Sequence, residues 1–327
     1  MSTGAALSPP PSRLADRVVA ILGFGNQGEA QALNLRESGV RVIVGARAGG
    51  AGERRAREHG FETHPLAEAA RYAAIAAVML PDDVTPVLWP TLRPALEPDT
   101  ALVFAHGYVP TYGGLEMPSR SDVVLVSPTG PGRVLREVFV RGDGLPAYLA
   151  VHRDVSGGAW ALAEAYADAL GCARARLLRT NVRHETEVDL FGEQAVLCGG
   201  MNALVIAAFE TLTAAGYAPE LAYLEVVHQL KYLADLVHER GIAGMREGIS
   251  STALYGDLTR GPRVIDGHVR AALAGILAEI RSGEFAAEFA RWVATGRPRV
   301  PTATPDGLEA LERARRSALG RGPKERA

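Results

Sequence analysis

The chain has 327 residues, enough for two domains that each bury a core of their own. Hydrophobic residues make up 47% of it and the net charge is −2, which gives no basic surface for nucleic acid or an anionic membrane. With two cysteines and no run of ~18 apolar residues, we expect a cytoplasmic protein without disulfides and without a membrane partner.

The first half of the chain alternates short apolar runs with helical patterns. Residues 1–16, rich in Pro, Ser and Ala, predict a disordered leader. Over residues 17–182, apolar strands alternate with segments such as Glu29–Ser38 and Glu53–His59, a pattern typical of an α/β fold with a parallel, doubly wound, Rossmann-like sheet. The predicted strands are Val18–Leu22, Arg41–Val44, Ile75–Leu80, Ala101–Phe104, Val123–Val126 and Ala147–Val151.

The second half shows no strand signals. Residues 183–296 predict an all-helical domain, and residues 297–327, which carry several prolines and arginines, predict a flexible tail. Gly199-Gly200 is interpreted as a break between two helices. The predicted helices are Glu185–Cys198, Asn202–Ala215, Pro219–Val237, Gly267–Ser282 and Glu284–Thr295.

A glycine-rich segment follows the first strand directly. Its residues are Gly23, Phe24, Gly25, Asn26, Gln27 and Gly28, and a helix and a second strand come after it. In such a loop the glycines make the turn, admit the pyrophosphate to the backbone and let strand and helix pack closely. This context predicts a dinucleotide site, with a tight structural turn as the alternative.

The end of the second strand bears on the choice of cofactor. An acid there would bind the ribose hydroxyls, whereas a basic residue would bind a 2′-phosphate. The chain places Arg47 there and no acid. This favours NADPH, with NADH possible, and a solvated surface arginine is the alternative interpretation of Arg47. We further assign Asp82, Asp83 and Gly132 to the cofactor site.

Two acids lie four residues apart in the helical half. Asp189 and Glu193 share a helix face, and Glu185 lies on that face one turn earlier. A second helix carries Glu225 and then Gln229. Carboxylate oxygens suit Mg²⁺, but acids at this spacing are also common on exposed helices.

Several segments together resemble ketol-acid reductoisomerase, in its shorter class, over residues 17–300. The most specific is Asp189–Gly200, which reads DLFGEQAVLCGG. The other matching segments are Gly23–Leu35, Phe104–Gly107, Gly130–Gly132, Glu185–Val188, Phe209–Leu224 and Ile249–Asp257, followed by Gly261–Arg263.

This resemblance implies a knotted helical domain and a homodimer, or a higher homo-oligomer, that shares its active sites between subunits. The implied reaction isomerises an acetohydroxy acid with two Mg²⁺ ions and then reduces the 2-keto acid with NADPH, toward valine and isoleucine. It also implies roles for single residues: Asp189, Glu193 and Glu225 as metal ligands, Ser250 on the substrate carboxylate, His106 beside the nicotinamide and Arg47 on the 2′-phosphate.

The chain departs from the family pattern at several positions, of which Gln229 stands where the family has a metal ligand. The family has a glutamate at Gln229, a lysine at Thr129, a glutamate at Leu254 and a histidine at Glu29. An amide oxygen is a weaker ligand for a hard cation than a carboxylate, so we expect weak or single-ion Mg²⁺ binding. Alkyl migration depends on the ions more than hydride transfer does, so the loss falls on the isomerase half.

Three functions remain open at this point. The leading hypothesis is an NAD(P)H-dependent reductase of a ketone or imine of a small keto-acid or amino-acid-like metabolite, in specialised metabolism. The second is an authentic ketol-acid reductoisomerase. The third is a non-catalytic nucleotide-binding protein, since a fold does not by itself determine a function.

Overall fold

The computed structural model describes residue 14, residues 16–298, residue 300 and residues 305–320. The chain divides into two compact units, of which the first ends at Val188 and the second begins at Asp189. Most of the leader predicted over residues 1–16 lies outside the described residues. Leu14 does not fit that prediction, because it is buried in the core of the first unit.

Eight strands form one sheet in the first unit, in the order β3-β2-β1-β4-β5-β6-β7-β8. All neighbours are parallel except β6 and β7, which are antiparallel. The strands are β1 (Val18–Leu22), β2 (Arg41–Ala46), β3 (Glu62–Pro65), β4 (Ile75–Val78), β5 (Ala101–Phe104), β6 (Val123–Pro128), β7 (Ala147–Arg153) and β8 (Leu177–Arg179).

Seven helices connect these strands, and the apolar residues between helices and sheet form the core. They are α1 (Asn26–Glu37), α2 (Ala51–Glu58), α3 (Leu66–Tyr72), α4 (Thr85–Leu92), α5 (Tyr108–Tyr112), α6 (Gly132–Val140) and α7 (Ala159–Ala169), with 3₁₀ turns at Arg93–Ala95 and Cys172–Arg174. The strand order reverses between β1 and β4, the position at which sheets of this kind bind their ligands.

The predicted sheet is confirmed with three differences. β3 and β8 were not predicted, because β3 is polar (Glu-Thr-His-Pro) and β8 has only three residues. The segment from β6 to β7 returns antiparallel, which a pattern of continuous apolar strands does not distinguish from a parallel crossover.

All regular secondary structure among the described residues of the second unit is helical. Its helices are α8 (Val182–Gly192, which begins in the first unit), α9 (Gly199–Ala214), α10 (Pro219–Tyr223), α11 (Leu230–Glu247), α12 (Ser251–Val264), α13 (Gly267–Ser282), α14 (Glu284–Ala294) and α15 (Pro305–Ala318). Wider π-helical turns lie at Glu193–Leu197 and Leu224–His228. α11 is kinked at Gly241, whose φ is 68°.

Gly199-Gly200 does not end a helix, contrary to the sequence interpretation. The chain stays helical from Val182 to Ala214 through the first π turn. By length and composition this helix could cross a membrane, with a mean hydropathy of 1.7 and 6% of its apolar window buried. The sequence analysis expected no such stretch in the chain. One such helix is weak evidence for a membrane span, because helices of soluble proteins can have the same length and composition.

The flexible tail predicted over residues 297–327 is wrong for residues 305–318. These form α15, which begins at Pro305, a favourable residue for the first turn of a helix. Leu311 and Ala314 of α15 are buried in a cluster with Phe209 of α9 and Tyr223 of α10. The prolines and arginines of this segment obscured the helical spacing of its apolar residues.

Candidate active site

The glycine-rich loop after β1 packs closely against its surroundings at two positions. Gly23 has a φ of 102°, and a Cβ there would lie 2.8 Å from the Met79 carbonyl oxygen. A Cβ on Gly28 would lie 2.0 Å from the Gly23 carbonyl oxygen. Both residues must therefore be glycine for the strand, the turn and α1 to pack as they do.

Gly25 has a different environment, because no atom lies within 4 Å of the position of its Cβ. It precedes α1 and provides no side-chain cap, so the first N–H groups of that helix remain available to a ligand. Phosphate oxygens suit this position, since the helix dipole favours negative charge at its N-terminus.

A cavity of about 710 Å³ opens in front of this loop. It lies at the carboxyl ends of β1, β2, β4 and β5, at the reversal of the strand order. Its lining includes five of the six predicted loop residues (Gly23, Phe24, Gly25, Asn26 and Gln27), together with Arg47, Gly50, Met79, Pro81, Val84 and Ala105. The loop thus provides a cradle with space for a dinucleotide.

Arg47 lines this cavity from the end of β2. A turn holds its backbone, with Gly50 N donating to the Arg47 carbonyl oxygen at 2.9 Å. The nearby acid, Glu53, accepts hydrogen bonds from Gly49 N at 2.6 Å and from Arg57 at 2.8 Å. The Gly49 bond is the main reason that the pKa of Glu53 is lowered. Glu53 does not line the cavity, so Arg47 is the charged group of this loop that does.

The other predicted cofactor residues lie at the edge of the cavity or outside its lining. Asp82 and Asp83 occupy the loop after β4, between the lining residues Pro81 and Val84. Gly132 begins α6, where a Cβ would lie 2.0 Å from the Asn26 carbonyl oxygen. Gly132 therefore allows α6 to pack against the start of α1.

His106 follows β5 and contacts a buried carboxylate. Its Nδ1 lies 3.6 Å from Oε1 of Glu185, a side chain with no exposed surface. Oε2 of Glu185 accepts a hydrogen bond from Gly107 N at 2.9 Å, whereas Oε1 has no hydrogen-bond partner. The negative charge of this buried carboxylate favours the His106 tautomer that carries its proton on Nδ1. In that tautomer Nε2 is the unprotonated ring nitrogen.

Sequence analysis did not include Glu185 among the site residues. The one signal was its position four residues before Asp189, on the same helix face. Tyr108 was also missed, although its ring stacks on that of His106 with centroids 6.4 Å apart. Burial raises the pKa of Tyr108 to about 12, and Asp82 adds to the effect, so Tyr108 is a neutral hydroxyl at physiological pH.

The predicted metal ligands lie on helices with π turns. Asp189 is near the end of α8, Glu193 opens the first π turn and Glu225 lies in the second. Such turns are often found at functional sites. Gln229 donates its amide to Oε2 of Glu225 at 2.7 Å.

Within one chain these acids do not form a complete metal site. Among the residues that the structure describes, no group of three or more His, Cys, Asp or Glu side chains could hold a metal ion. The donor chemistry of these carboxylates suits Mg²⁺.

Two further residues named by the sequence analysis have local partners. Ser250 caps α12, accepting a hydrogen bond from Ala253 N at 3.2 Å. Thr129 donates its hydroxyl to the Pro146 carbonyl oxygen at 2.9 Å. A threonine held by its own loop does not replace the cationic side chain of a lysine.

Comparison with known families decides the identity. Residues 13–176 match the NADPH-binding domain of acetohydroxy acid isomeroreductase, and residues 182–313 match the C-terminal domain of ketol-acid reductoisomerase. The chain belongs to the ketol-acid reductoisomerase family. The chain is an NAD(P)H-dependent oxidoreductase. Its family membership shows this, and the cavity at the glycine-rich loop agrees with it.

Solved structures agree with this assignment. An NADH-preferring ketol-acid reductoisomerase from an uncultured archean is 35% identical, covers 94% of this chain and 96% of its own, and has a TM-score of 0.89. A putative oxidoreductase from Jannaschia sp. CCS1 is 15% identical, covers 83% and 98%, and has a TM-score of 0.61. A semialdehyde dehydrogenase NAD-binding protein from Cupriavidus necator is 18% identical, with coverage of 81% and 99% and a TM-score of 0.61. The last two share only the fold.

Proposed function

We propose that this family member reduces a ketone or imine of a small keto-acid or amino-acid-like metabolite with NADPH, and that its isomerase half is impaired. The observation that carries the proposal is Gln229. It presents an amide N–H to Glu225, where the family resemblance implies a second carboxylate. We place the reaction in specialised metabolism in the cytoplasm.

The residues around the cavity have separate roles in this proposal. The N-terminus of α1 binds the pyrophosphate, and Arg47 binds the 2′-phosphate. Glu185 holds the His106 ring beside the nicotinamide. When bound, NADPH supplies the hydride and Mg²⁺ polarises the carbonyl oxygen of the substrate.

A second copy of the chain completes the site in this proposal. Asp189 and Glu193 would hold Mg²⁺ together with Glu225 of the partner subunit, while the partner subunit's Ser250 binds the substrate carboxylate at the start of its helix. The exposed apolar residues of the helix Val182–Ala214 support a protein partner. Lipid is a poor alternative, because the same helix carries the carboxylates of Asp189 and Glu193.

The test separates the two halves of the reaction. We expect no conversion of 2-acetolactate to 2,3-dihydroxyisovalerate with NADPH and Mg²⁺, and measurable NADPH oxidation with the intermediate 2-keto acid or with an imine. Turnover of 2-acetolactate at about 1 per second or faster, a rate normal for enzymes, would show an authentic ketol-acid reductoisomerase. Complementation of a valine and isoleucine auxotroph would show the same in cells.

A restored metal site provides the matched control. Gln229→Glu together with Thr129→Lys rebuilds the charge balance around the ions, so we expect Mg²⁺ affinity to rise by roughly tenfold. The two changes are tested jointly, because groups in one ionic network do not act additively. Unchanged Mg²⁺ affinity in the double variant would mean that Gln229 does not limit metal binding.

A further inference from the structure

The π turn Glu193–Leu197 differs from the helix on either side of it in its hydrogen bonding. Cys198 N donates to the Glu193 carbonyl oxygen at 2.9 Å, five residues back instead of the four of an α-helix. This turn joins the end of the helix that carries Asp189 to α9 without a break.

The two residues after the turn, Gly199 and Gly200, lie where the backbone leaves no space for a side chain. A Cβ on Gly199 would lie 2.1 Å from the Gln194 carbonyl oxygen, and a Cβ on Gly200 would lie 2.0 Å from that of Ala195. Gly256 and Gly275, in regular helical stretches, have no atom within 4 Å of the same position beyond their own helical turns. Backbone oxygens cannot move aside as a side-chain end can, so these two contacts exclude any residue with a Cβ while the turn keeps its shape.

We propose that Gly199 and Gly200 are positioning residues for the metal-binding carboxylates, because they permit the turn that sets the direction of Asp189 and Glu193 relative to α9. Each residue of an α-helix advances by about 100°, so replacing the π turn by regular helix would rotate the two flanks against each other by about that angle. α9 is fixed by Phe209, which is 1% exposed in its core cluster. The start of α8 is held as well, by the buried side chains of Glu185 and Thr186. The rotation would therefore change the direction of Asp189 and Glu193 relative to α9. This inference rests on the proposed metal function.

The second π turn shows that the requirement is specific to the first. The residues that correspond to Gly199 and Gly200 after Leu224–His228 are Leu230 and Lys231, which both carry a Cβ. A π turn in this protein therefore does not need glycine in general. It needs glycine where the carbonyl groups of Gln194 and Ala195 occupy the space of the side chains.

The test compares Gly199→Ala and Gly200→Ala with Gly275→Ala as the matched control. Alanine is the better helix former, so Gly275→Ala should raise Tm by about 1–3 °C. We expect the other two to leave Tm unchanged or lower it, and to raise the Kd for Mg²⁺, titrated as MgCl₂ by calorimetry, at least tenfold. NADPH binding should stay within twofold of wild type. Both variants behaving like the control, with a raised Tm and an unchanged Kd for Mg²⁺, would overturn the proposal.

A deletion separates positioning from general damage. Removing Val196, an exposed residue of the turn, takes out one residue and should bring the flanks of a regular helix back into phase. In the Gly199→Ala/Gly200→Ala double variant, we expect this deletion to restore Tm and part of the Mg²⁺ affinity. If the double variant does not fold, the deletion should restore folding. No recovery of either would contradict the proposal.

Crystal structures test the turn without metal. In Gly200→Ala the hydrogen bond from Cys198 N to Glu193 O should be lost and Asp189 should face a new direction. If the wild-type protein binds no Mg²⁺, the metal function fails, and this geometry still decides whether the glycines position the acids. An intact turn in the variant would overturn it.

Discussion

The strands of the nucleotide-binding unit and the helices of the second unit differ in how far one chain buries them. Every residue of β4, β5 and β6 is buried. In the second unit, large apolar residues remain exposed along several helices, including Leu197 at 64%, Leu204 at 54%, Tyr255 at 63% and Leu258 at 55%. Exposed apolar surface on this scale is typical of surfaces that contact a partner.

The sites of the two units differ in the same way. The loop, the N-terminus of α1 and Arg47 line one cavity within a single chain. The acids Asp189, Glu193 and Glu225 are not assembled into a metal site within the described residues of one chain. If two chains share the metal site as proposed, cofactor binding should survive changes that separate them, whereas metal binding should not.

Gly25→Val should have the largest effect. Its side chain would enter the open space at the cradle and keep the backbone away from the pyrophosphate, so we expect more than a 100-fold loss of NADPH affinity. Since no atom lies within 4 Å of the Cβ position, the chain should still fold. Fluorescence titration measures the affinity, and circular dichroism checks the fold. NADPH binding within tenfold of wild type would show that the cofactor does not approach this loop.

Leu204→Glu tests whether the second unit needs a partner chain to bind Mg²⁺. A charge buried without a partner in a subunit interface costs about 3–5 kcal/mol, so light scattering at micromolar concentration should show monomers and Mg²⁺ binding should be lost. NADPH binding should remain. Val140→Glu is the matched control, because Val140 is 64% exposed on α6 of the first unit, and it should leave the oligomer intact. A wild-type protein that is already monomeric would contradict the shared-site proposal.

Arg47→Ala distinguishes the two nicotinamide cofactors. Loss of a charge-assisted hydrogen bond to the 2′-phosphate should weaken NADPH binding by ~1.5–3 kcal/mol and leave NADH nearly unchanged. Arg57→Ala is a suitable control, since Arg57 pairs with Glu53 and does not line the cavity. Equal losses for both cofactors would mean that Arg47 does not contact a 2′-phosphate.

Glu185→Gln should have the smallest effect of the four. The amide keeps the size of the side chain but weakens its hold on the His106 tautomer, so we expect kcat to fall by roughly tenfold, about 1.4 kcal/mol, with a changed pH profile. NADPH affinity should stay within twofold. A lowered Tm with unchanged kcat would indicate a purely structural role for Glu185.

Local sequence signals predicted much of the first unit. The apolar runs gave β1 and β5 with their observed bounds, and the glycine spacing located the loop that lines the cavity. Polar β3 gives no such signal. The contact between Gly107 and Glu185 joins residues 78 apart, and a sequence without its fold does not show which distant residues meet.

The second unit shows a different limit of sequence analysis. The sequence predicts a helix break at Gly199-Gly200 because glycine usually ends helices, whereas in the structure the two glycines accommodate carbonyl oxygens inside a helix. The spacing of Asp189 and Glu193 predicts a shared helix face, and the family resemblance adds Glu225 as a metal ligand. In the proposed site these acids bind metal together with a second chain, which neither spacing nor hydropathy describes.

The packing of α15 sets where the protein can be shortened or fused. Gly307 lies so close to Glu210 that a Cβ would approach its Oε1 to 1.9 Å, and Leu311 and Ala314 cover Phe209. Cutting the chain before Pro305 would thus expose Phe209 to water and make the expressed fragment prone to aggregation. Affinity tags and reporter fusions belong after residue 320, beyond the end of this helix.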